Sequence, residues 1–113
     1  MTQTKQAKTI NSNMVAGMLH YLRGTRHPVR NTLIFRLSER GGLRAKEIAS
    51  IKWSMITDAE GNLTDEIILP NSASKGKNGG RIIPIAKELR LAIEAHRERS
   101  KNTAAHHFII QTE

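Results

Sequence analysis

The sequence predicts an α+β domain in which helices surround a small three-stranded antiparallel sheet. Apolar residues recur with helical spacing in the first half of the chain, and short branched-aliphatic runs bounded by turn formers follow them. The length of 113 residues is that of one small domain with a single hydrophobic core. We interpret residues 1–10 as a flexible leader and residues 11–113 as the domain.

Four helices are predicted, over about residues 12–22, 28–40, 45–52 and 86–99. Asn11 or Ser12 caps the first helix, which Gly24 ends, and Pro28 suits the first turn of the second. The second helix is apolar around much of its circumference, so we expect it to be central.

Three strands are predicted, over residues 53–57, 66–69 and 81–85. The run Asp58–Asn62 is rich in turn formers, and residues 70–80 form a loop of Ser, Asn, Gly and Lys. Pro84 ends the last strand or confines it to a sheet edge. A final short extended piece is expected over residues 107–111.

The composition excludes several classes of protein. The chain has no cysteine, which rules out disulfides and thiolate metal sites and fits a reducing cytoplasm. No apolar run approaches the roughly 18 residues of a membrane span, and the N-terminus lacks the apolar core of a signal peptide. We therefore expect a cytoplasmic protein that does not enter a membrane.

Positive charge is concentrated at one end of the chain. The net charge is +8, and no acidic residue precedes Glu39. Residues 1–38 alone carry +6, from Lys5, Lys8, Arg23, Arg26, Arg30 and Arg36. A one-sided positive field favours a polyanionic partner, most simply double-stranded DNA, with an anionic membrane surface as the second choice.

One stretch and one loop carry residues suited to phosphate chemistry. Arg44 follows a Gly-Gly turn at the start of a predicted helix, and Glu47 lies three residues on, where it can orient a neighbouring cation. Lys75 and Lys77 lie on the Gly-rich loop. Together they indicate a phosphodiester site built from fixed cations. No grouped carboxylates or imidazoles suggest a metal ion, since the adjacent His106 and His107 would lie on opposite sides of a strand.

The two segments together resemble the tyrosine recombinases, or phage integrases. RGGLRAKEIASIKW, residues 40–53, is similar to the family's first catalytic box, and SKGKNGGRIIP, residues 74–84, is similar to its lysine-bearing hairpin. Gly41 stands where the family usually has threonine. The matching positions in the first box are Gly42, Leu43, Arg44, Glu47, Ile51 and Trp53.

The resemblance implies DNA cleavage and rejoining through a 3′-phosphotyrosyl intermediate, without metal or nucleotide cofactor. Arg44 would bind oxygens of the scissile phosphate, because a planar fork suits the charge of the transition state. Lys75 would protonate the 5′-oxygen leaving group, with Lys77 as the competing candidate, and Glu47 would hold the basic groups in register. Further contacts to DNA are expected from Lys77, Arg81, Arg40 and Lys52.

The family's second box, His-x-x-Arg, and its tyrosine nucleophile both lie well after the hairpin. Three His-x-x-Arg strings occur, beginning at His20, His27 and His96, and we interpret all three as chance. The only tyrosine, Tyr21, precedes Arg44 and is expected to pack on its helix. We therefore expect part of a catalytic domain that binds DNA without cleaving it, and whose full-length form assembles on DNA as a homo-oligomer.

Two other classes of function remain open from the sequence. In a helix-turn-helix regulator, residues 45–51 would be the first helix and Ser54–Glu60 would begin the recognition helix. That segment is acidic, whereas a helix facing DNA is expected to be basic. Alternatively, the basic face docks an acidic protein partner.

Overall fold

The computed structural model describes residues 11–70 and 80–111. Four α-helices lie within these residues: α1 (Ser12–Arg23), α2 (Pro28–Glu39), α3 (Ala45–Ser50) and α4 (Lys87–Arg99). They accompany a single antiparallel sheet of two strands, β1 (Glu66–Leu69) and β2 (Arg81–Pro84). The α+β class is confirmed. None of the helices described here is long and apolar enough to cross a bilayer.

The helix ends follow from local capping chemistry. The Asn11 side chain accepts a hydrogen bond from the Met14 backbone N–H at 2.9 Å, and Gly24 closes α1. Pro28 occupies the first turn of α2, where its missing N–H leaves no bond unmade. The predicted starts of α1 and α2 are therefore confirmed, and α3 ends at Ser50, two residues earlier than predicted.

Helix α2 is central, as its apolar circumference predicts. It packs against α1, α3 and α4 and buries Leu33 and Leu37 almost completely. The hydrophobic effect at this centre holds the helices and the sheet together. The buried apolar residues are Leu33, Leu37, Leu43, Ile48, Ile51, Trp53, Ile56, Ile67, Leu69, Ile83, Leu89, Ile93 and Ile109.

The strand predicted over residues 53–57 is wrong. Trp53–Met55 form a short 3₁₀ helix, and a lone bridge joins Thr57 to Leu63. The reason is the spacing of the buried side chains: Trp53 and Ile56 are both fully buried and lie three residues apart. A strand buries alternate residues, whereas a tight helical turn brings residues i and i+3 to one side. The described sheet thus has two strands rather than three.

The two strands of the sheet pair in a fixed register and bury one face. In β1 and β2, Leu69 pairs with Arg81 and Glu66 pairs with Pro84. Ile67 and Leu69 face the core, while Ile68 between them is exposed, which is the alternation expected for a sheet with one buried face.

The chain after α4 returns to the core and covers Trp53. The Ile109 backbone N–H donates to the Ile51 carbonyl at 3.0 Å, and the buried His96 ring contacts the Ile109 carbonyl through Nε2 at 2.8 Å. The His96 ring also stacks on Trp53, with ring centroids 6.3 Å apart. The extended piece predicted at residues 107–111 is reduced to one bridge, between Lys52 and Phe108.

Candidate functional site

The turn between α2 and α3 directs Arg44 to the surface. Gly42 has a φ of 70°, a conformation that side chains with a Cβ rarely adopt, and its N–H donates to the Ser38 carbonyl at 3.0 Å. Beyond this turn Leu43 is buried and Arg44 is exposed. The guanidinium of Arg44 has no hydrogen bond or ion pair within residues 11–70 and 80–111.

Gly41 lies where the turn passes closest to the end of α2. A Cβ built on Gly41 would lie 2.7 Å from the Leu37 carbonyl oxygen and 2.9 Å from Leu43 Cδ1. Any residue with a Cβ would therefore require the end of α2 to move. The glycine keeps the backbone of this turn close to α2.

Glu47 joins α3 to the sheet. Its carboxylate is buried, and Oε1 accepts hydrogen bonds from the Arg44 backbone N–H at 2.8 Å and from Arg81 Nη2 at 2.7 Å. The first bond caps the N-terminus of α3, and the second is a charge-assisted bond between residues 34 positions apart. The other oxygen, Oε2, is buried without a hydrogen-bond partner in the described part of the chain.

This contact brings the two predicted segments together. Arg81 begins β2 at the end of the Gly-rich segment, and Glu47 belongs to the segment of residues 40–53. Arg81 keeps 43% of its side chain exposed while it holds the carboxylate. Glu47 therefore links the backbone of Arg44 to the side chain of Arg81, and we call these three residues the Arg44–Glu47–Arg81 cluster. Its carboxylate is buried, and the guanidinium of Arg44 is unpaired within residues 11–70 and 80–111. Lys75 and Lys77 lie outside the described residues.

Arg40 and Lys52 are not part of this cluster. The guanidinium of Arg40 lies 3.6 Å from Glu39 Oε2 and 3.8 Å from Glu88 Oε2, so two carboxylates are within ion-pair distance of it. The pKa of Glu88 is lowered, first by a hydrogen bond from its own backbone N–H and then by Arg40. The ammonium of Lys52 lies over the Phe108 ring, 5.4 Å from its centroid. No contact in the described chain joins either cation to Arg44 or Arg81.

The predicted DNA contacts of Arg40 and Lys52 stay predictions, whereas two expectations about packing are wrong. Tyr21 does not pack on its helix, since 67% of it is exposed. His106 and His107 lie in a turn rather than a strand, and their ring centroids are only 4.2 Å apart instead of on opposite sides. Within the described residues no group of three His, Cys, Asp or Glu side chains is placed to hold a metal ion.

A second group of cations, which no sequence motif predicts, lines a cleft between the start of α2 and the end of α4. The only sequence signal for this group of cations is the lack of acidic residues before Glu39.

No protein-family model, no curated protein and no solved structure matches this chain.

Proposed function

We propose that this chain binds DNA through its phosphates and supplies the arginine-bearing part of a tyrosine-recombinase type of strand-cleavage site. The observation that supports this function is the bond between Glu47 and Arg81. It joins, in space, the two segments on which the resemblance rests. A surface of unrelated charged residues would not require a buried carboxylate to hold them together.

In this proposal Arg44 binds the scissile phosphate. Its guanidinium is exposed and unpaired in the described chain, so it is available to a ligand without breaking an existing ion pair. A planar guanidinium donates two parallel hydrogen bonds to phosphate oxygens, which an ammonium group cannot do. The same fork would stabilise the negative charge that grows on the phosphorus oxygens during strand cleavage.

Glu47 is a positioning residue in this proposal. Through Oε1 it fixes the backbone at Arg44 and the side chain of Arg81 at once. Arg81 lies six positions after Lys75 in the sequence. We propose Lys75 as the general acid for the 5′-oxygen, with Lys77 as the alternative, because an alkoxide leaves poorly without a proton. Lys77 and the exposed part of Arg81 would contact neighbouring phosphates.

The helix-turn-helix alternative lacks its second helix in the structure. Residues 53–55 form a 3₁₀ helix, and Asp58 then closes a turn in which its Oδ1 accepts the N–H groups of Glu60 and Asn62, each at 2.9 Å. No α-helix therefore occupies Ser54–Glu60, the segment that would have to enter the major groove. A docking surface for an acidic protein remains the rival, and the salt dependence of binding separates it from DNA.

The test is duplex binding by fluorescence anisotropy across a salt series. We expect weak binding whose log Kd rises steeply with log salt concentration, because phosphate contacts release counterions. Arg44→Gln should weaken binding about tenfold or more, since a charge-assisted bidentate contact is worth about 1.5–3 kcal/mol. Lys46→Gln is the matched control, because it removes one exposed charge from the same helix. Arg44→Lys should recover only part of the loss.

Equal losses in Arg44→Gln and Lys46→Gln would refute the phosphate site and leave only a diffuse basic surface. Binding that does not change with salt would favour the acidic-partner alternative. The 113-residue chain should form no covalent adduct with a nicked duplex, because its single tyrosine lies in α1, ahead of Arg44. A covalent protein–DNA adduct would refute that expectation. We propose the cytoplasm as the setting of this activity.

A further inference from the structure

A cleft of about 490 Å³ lies between the start of α2, the end of α4 and the chain that follows α4. Its described lining includes four formally charged cations and no acidic side chain. We call it the cationic cleft. Its charged residues are Arg26, Arg30, Arg99 and Lys101.

The absence of carboxylates distinguishes this cleft from other basic parts of the surface. Several arginines elsewhere face acids: Arg36 contacts Glu39 at 2.7 Å, and Arg90 contacts Glu94 at 3.3 Å. None of the four cleft cations makes an ion pair within the described residues. Four like charges that converge on one concavity repel each other, so an anion that enters it is stabilised by all of them.

Arg30 uses little of its hydrogen-bonding capacity within the described chain. Its Nε–H is buried without an acceptor in the described chain. Its two terminal nitrogens reach only the Gln111 carbonyl and Asn31 Oδ1, each at 3.5 Å, beyond the usual range of a good hydrogen bond. A buried cation whose donors lack good acceptors is costly, so an anion that accepts from the terminal nitrogens would stabilise Arg30. The planar fork of this guanidinium matches the oxygens of a phosphate.

The first turn of α2 adds to the attraction. Pro28 and Val29 line the cleft at the N-terminal end of this 12-residue helix, whose first turn has no acidic residue. Backbone N–H groups at a helix start have no acceptor within the helix, and the helix dipole makes this end positive. Helix starts combined with arginines are a recurrent way of binding phosphate.

We infer that the cationic cleft binds a phosphate group, at a site separate from the Arg44–Glu47–Arg81 cluster. Four cations favour a multiply charged phosphate over a single carboxylate, and the open shape admits either a free phosphate or one carried on a nucleic acid backbone. This inference does not rest on the proposed recombinase activity.

The experiment follows the arginine Nε–H signals of the ¹⁵N-labelled chain by NMR. Inorganic phosphate is added at constant ionic strength against sodium chloride, and a short duplex DNA is titrated separately. We expect the Arg30 Nε–H signal to shift in a saturable manner with phosphate. Arg30→Gln combined with Arg99→Gln should weaken phosphate binding at least tenfold, measured by calorimetry. The matched control, Arg23→Gln with Lys46→Gln, also removes two charges but leaves the cleft intact.

Each result decides the inference. Saturation of the cleft signals by duplex DNA identifies a backbone phosphate as the ligand, and saturation by inorganic phosphate alone identifies a free phosphate. A linear response no larger than that to chloride overturns the inference, as does an equal loss in the control pair. If the double variant fails to fold, Arg99→Gln alone, at the exposed end of α4, is used with the same criterion. Arg44→Gln must leave the NMR signals of the cleft unchanged. A failure of the proposed function can therefore be distinguished from a failure of this inference.

Discussion

The Glu47–Arg81 pair provides the sharpest test of how the two segments are held together. Glu47→Gln keeps a carbonyl oxygen that can accept from the Arg44 N–H, so the cap of α3 survives. What is lost is the charge that Arg81 meets at 2.7 Å. A charge-assisted bond contributes about 1.5–3 kcal/mol and a neutral one about 1 kcal/mol. The expected loss is the difference between the two, about 0.5–2 kcal/mol. Because 43% of the Arg81 side chain is exposed, solvent screens the pair, and we expect a loss of about 1 kcal/mol.

The reverse substitution should be more damaging. Arg81→Gln removes the cation but leaves the carboxylate of Glu47 buried, with 4% of its side chain exposed. The Arg81 guanidinium freed by Glu47→Gln can be hydrated at the surface, whereas the buried carboxylate left by Arg81→Gln cannot. We therefore expect Arg81→Gln to destabilise the fold by about 2 kcal/mol.

Urea unfolding of the two single variants and the double variant gives the coupling free energy, which we expect to be about 1 kcal/mol. The control cycle uses Asp65→Asn and Arg90→Gln, a pair 3.4 Å apart in which 98% of the aspartate side chain is exposed. Its coupling should be below about 0.5 kcal/mol. A Glu47–Arg81 coupling no larger than that of the control would refute the reasoning that the buried carboxylate fixes Arg81 beside α3.

Three further outcomes are expected. Gly42→Ala should lower the free energy of unfolding by about 1 kcal/mol, because φ at this position is 70°. Gly17→Ala, in open space inside α1, should raise it by about 0.5–1 kcal/mol. Thermal melting temperatures that change in the same direction for both variants would contradict this. His96→Phe keeps a ring against Trp53 but leaves the Ile109 carbonyl without its donor. Urea unfolding should therefore show a decrease of about 1–2 kcal/mol in the free energy of unfolding. An unchanged unfolding midpoint would show that the hydrogen bond contributes nothing. Because the pKa of Glu88 is lowered in the folded state, its contribution to stability is present at neutral pH and is lost as the pH falls through that lowered pKa. The free energies of unfolding of Glu88→Gln and the native chain should therefore differ at pH 7 and converge in acid. A difference that widens in acid would contradict this pH dependence.

Local signals made much of the fold predictable. Asn11, Pro28 and the glycine after α1 act on the residues next to them, so the helix starts can be read from neighbouring letters. The segment at Trp53 could not be read in this way. Its β-like composition predicts a strand, but the burial of Trp53 together with Ile56 favours a helical turn. That burial depends on residues distant in the sequence, such as His96 of α4, which stacks on the indole.

The candidate site was predictable only in part, for the same physical reason. Arg44 and Glu47 belong to one helix start, and their spacing alone predicts that they are neighbours. The bond from Glu47 to Arg81 spans 34 positions and exists because the sheet packs beside α3. Arg40 meets Glu88 because the start of α4 lies near the end of α2, and no local pattern predicts that ion pair.

Helix α1 differs from the rest of the molecule in that it buries no residue completely, and its packing is chiefly against α2. Hydrophobic burial is what opposes local opening, so this helix should detach at a free energy well below that of global unfolding. Its amide protons would then exchange with deuterium long before those beside Leu33 and Leu37. The 12 residues of α1 behave, in that sense, as a separately melting unit on an otherwise cooperative domain.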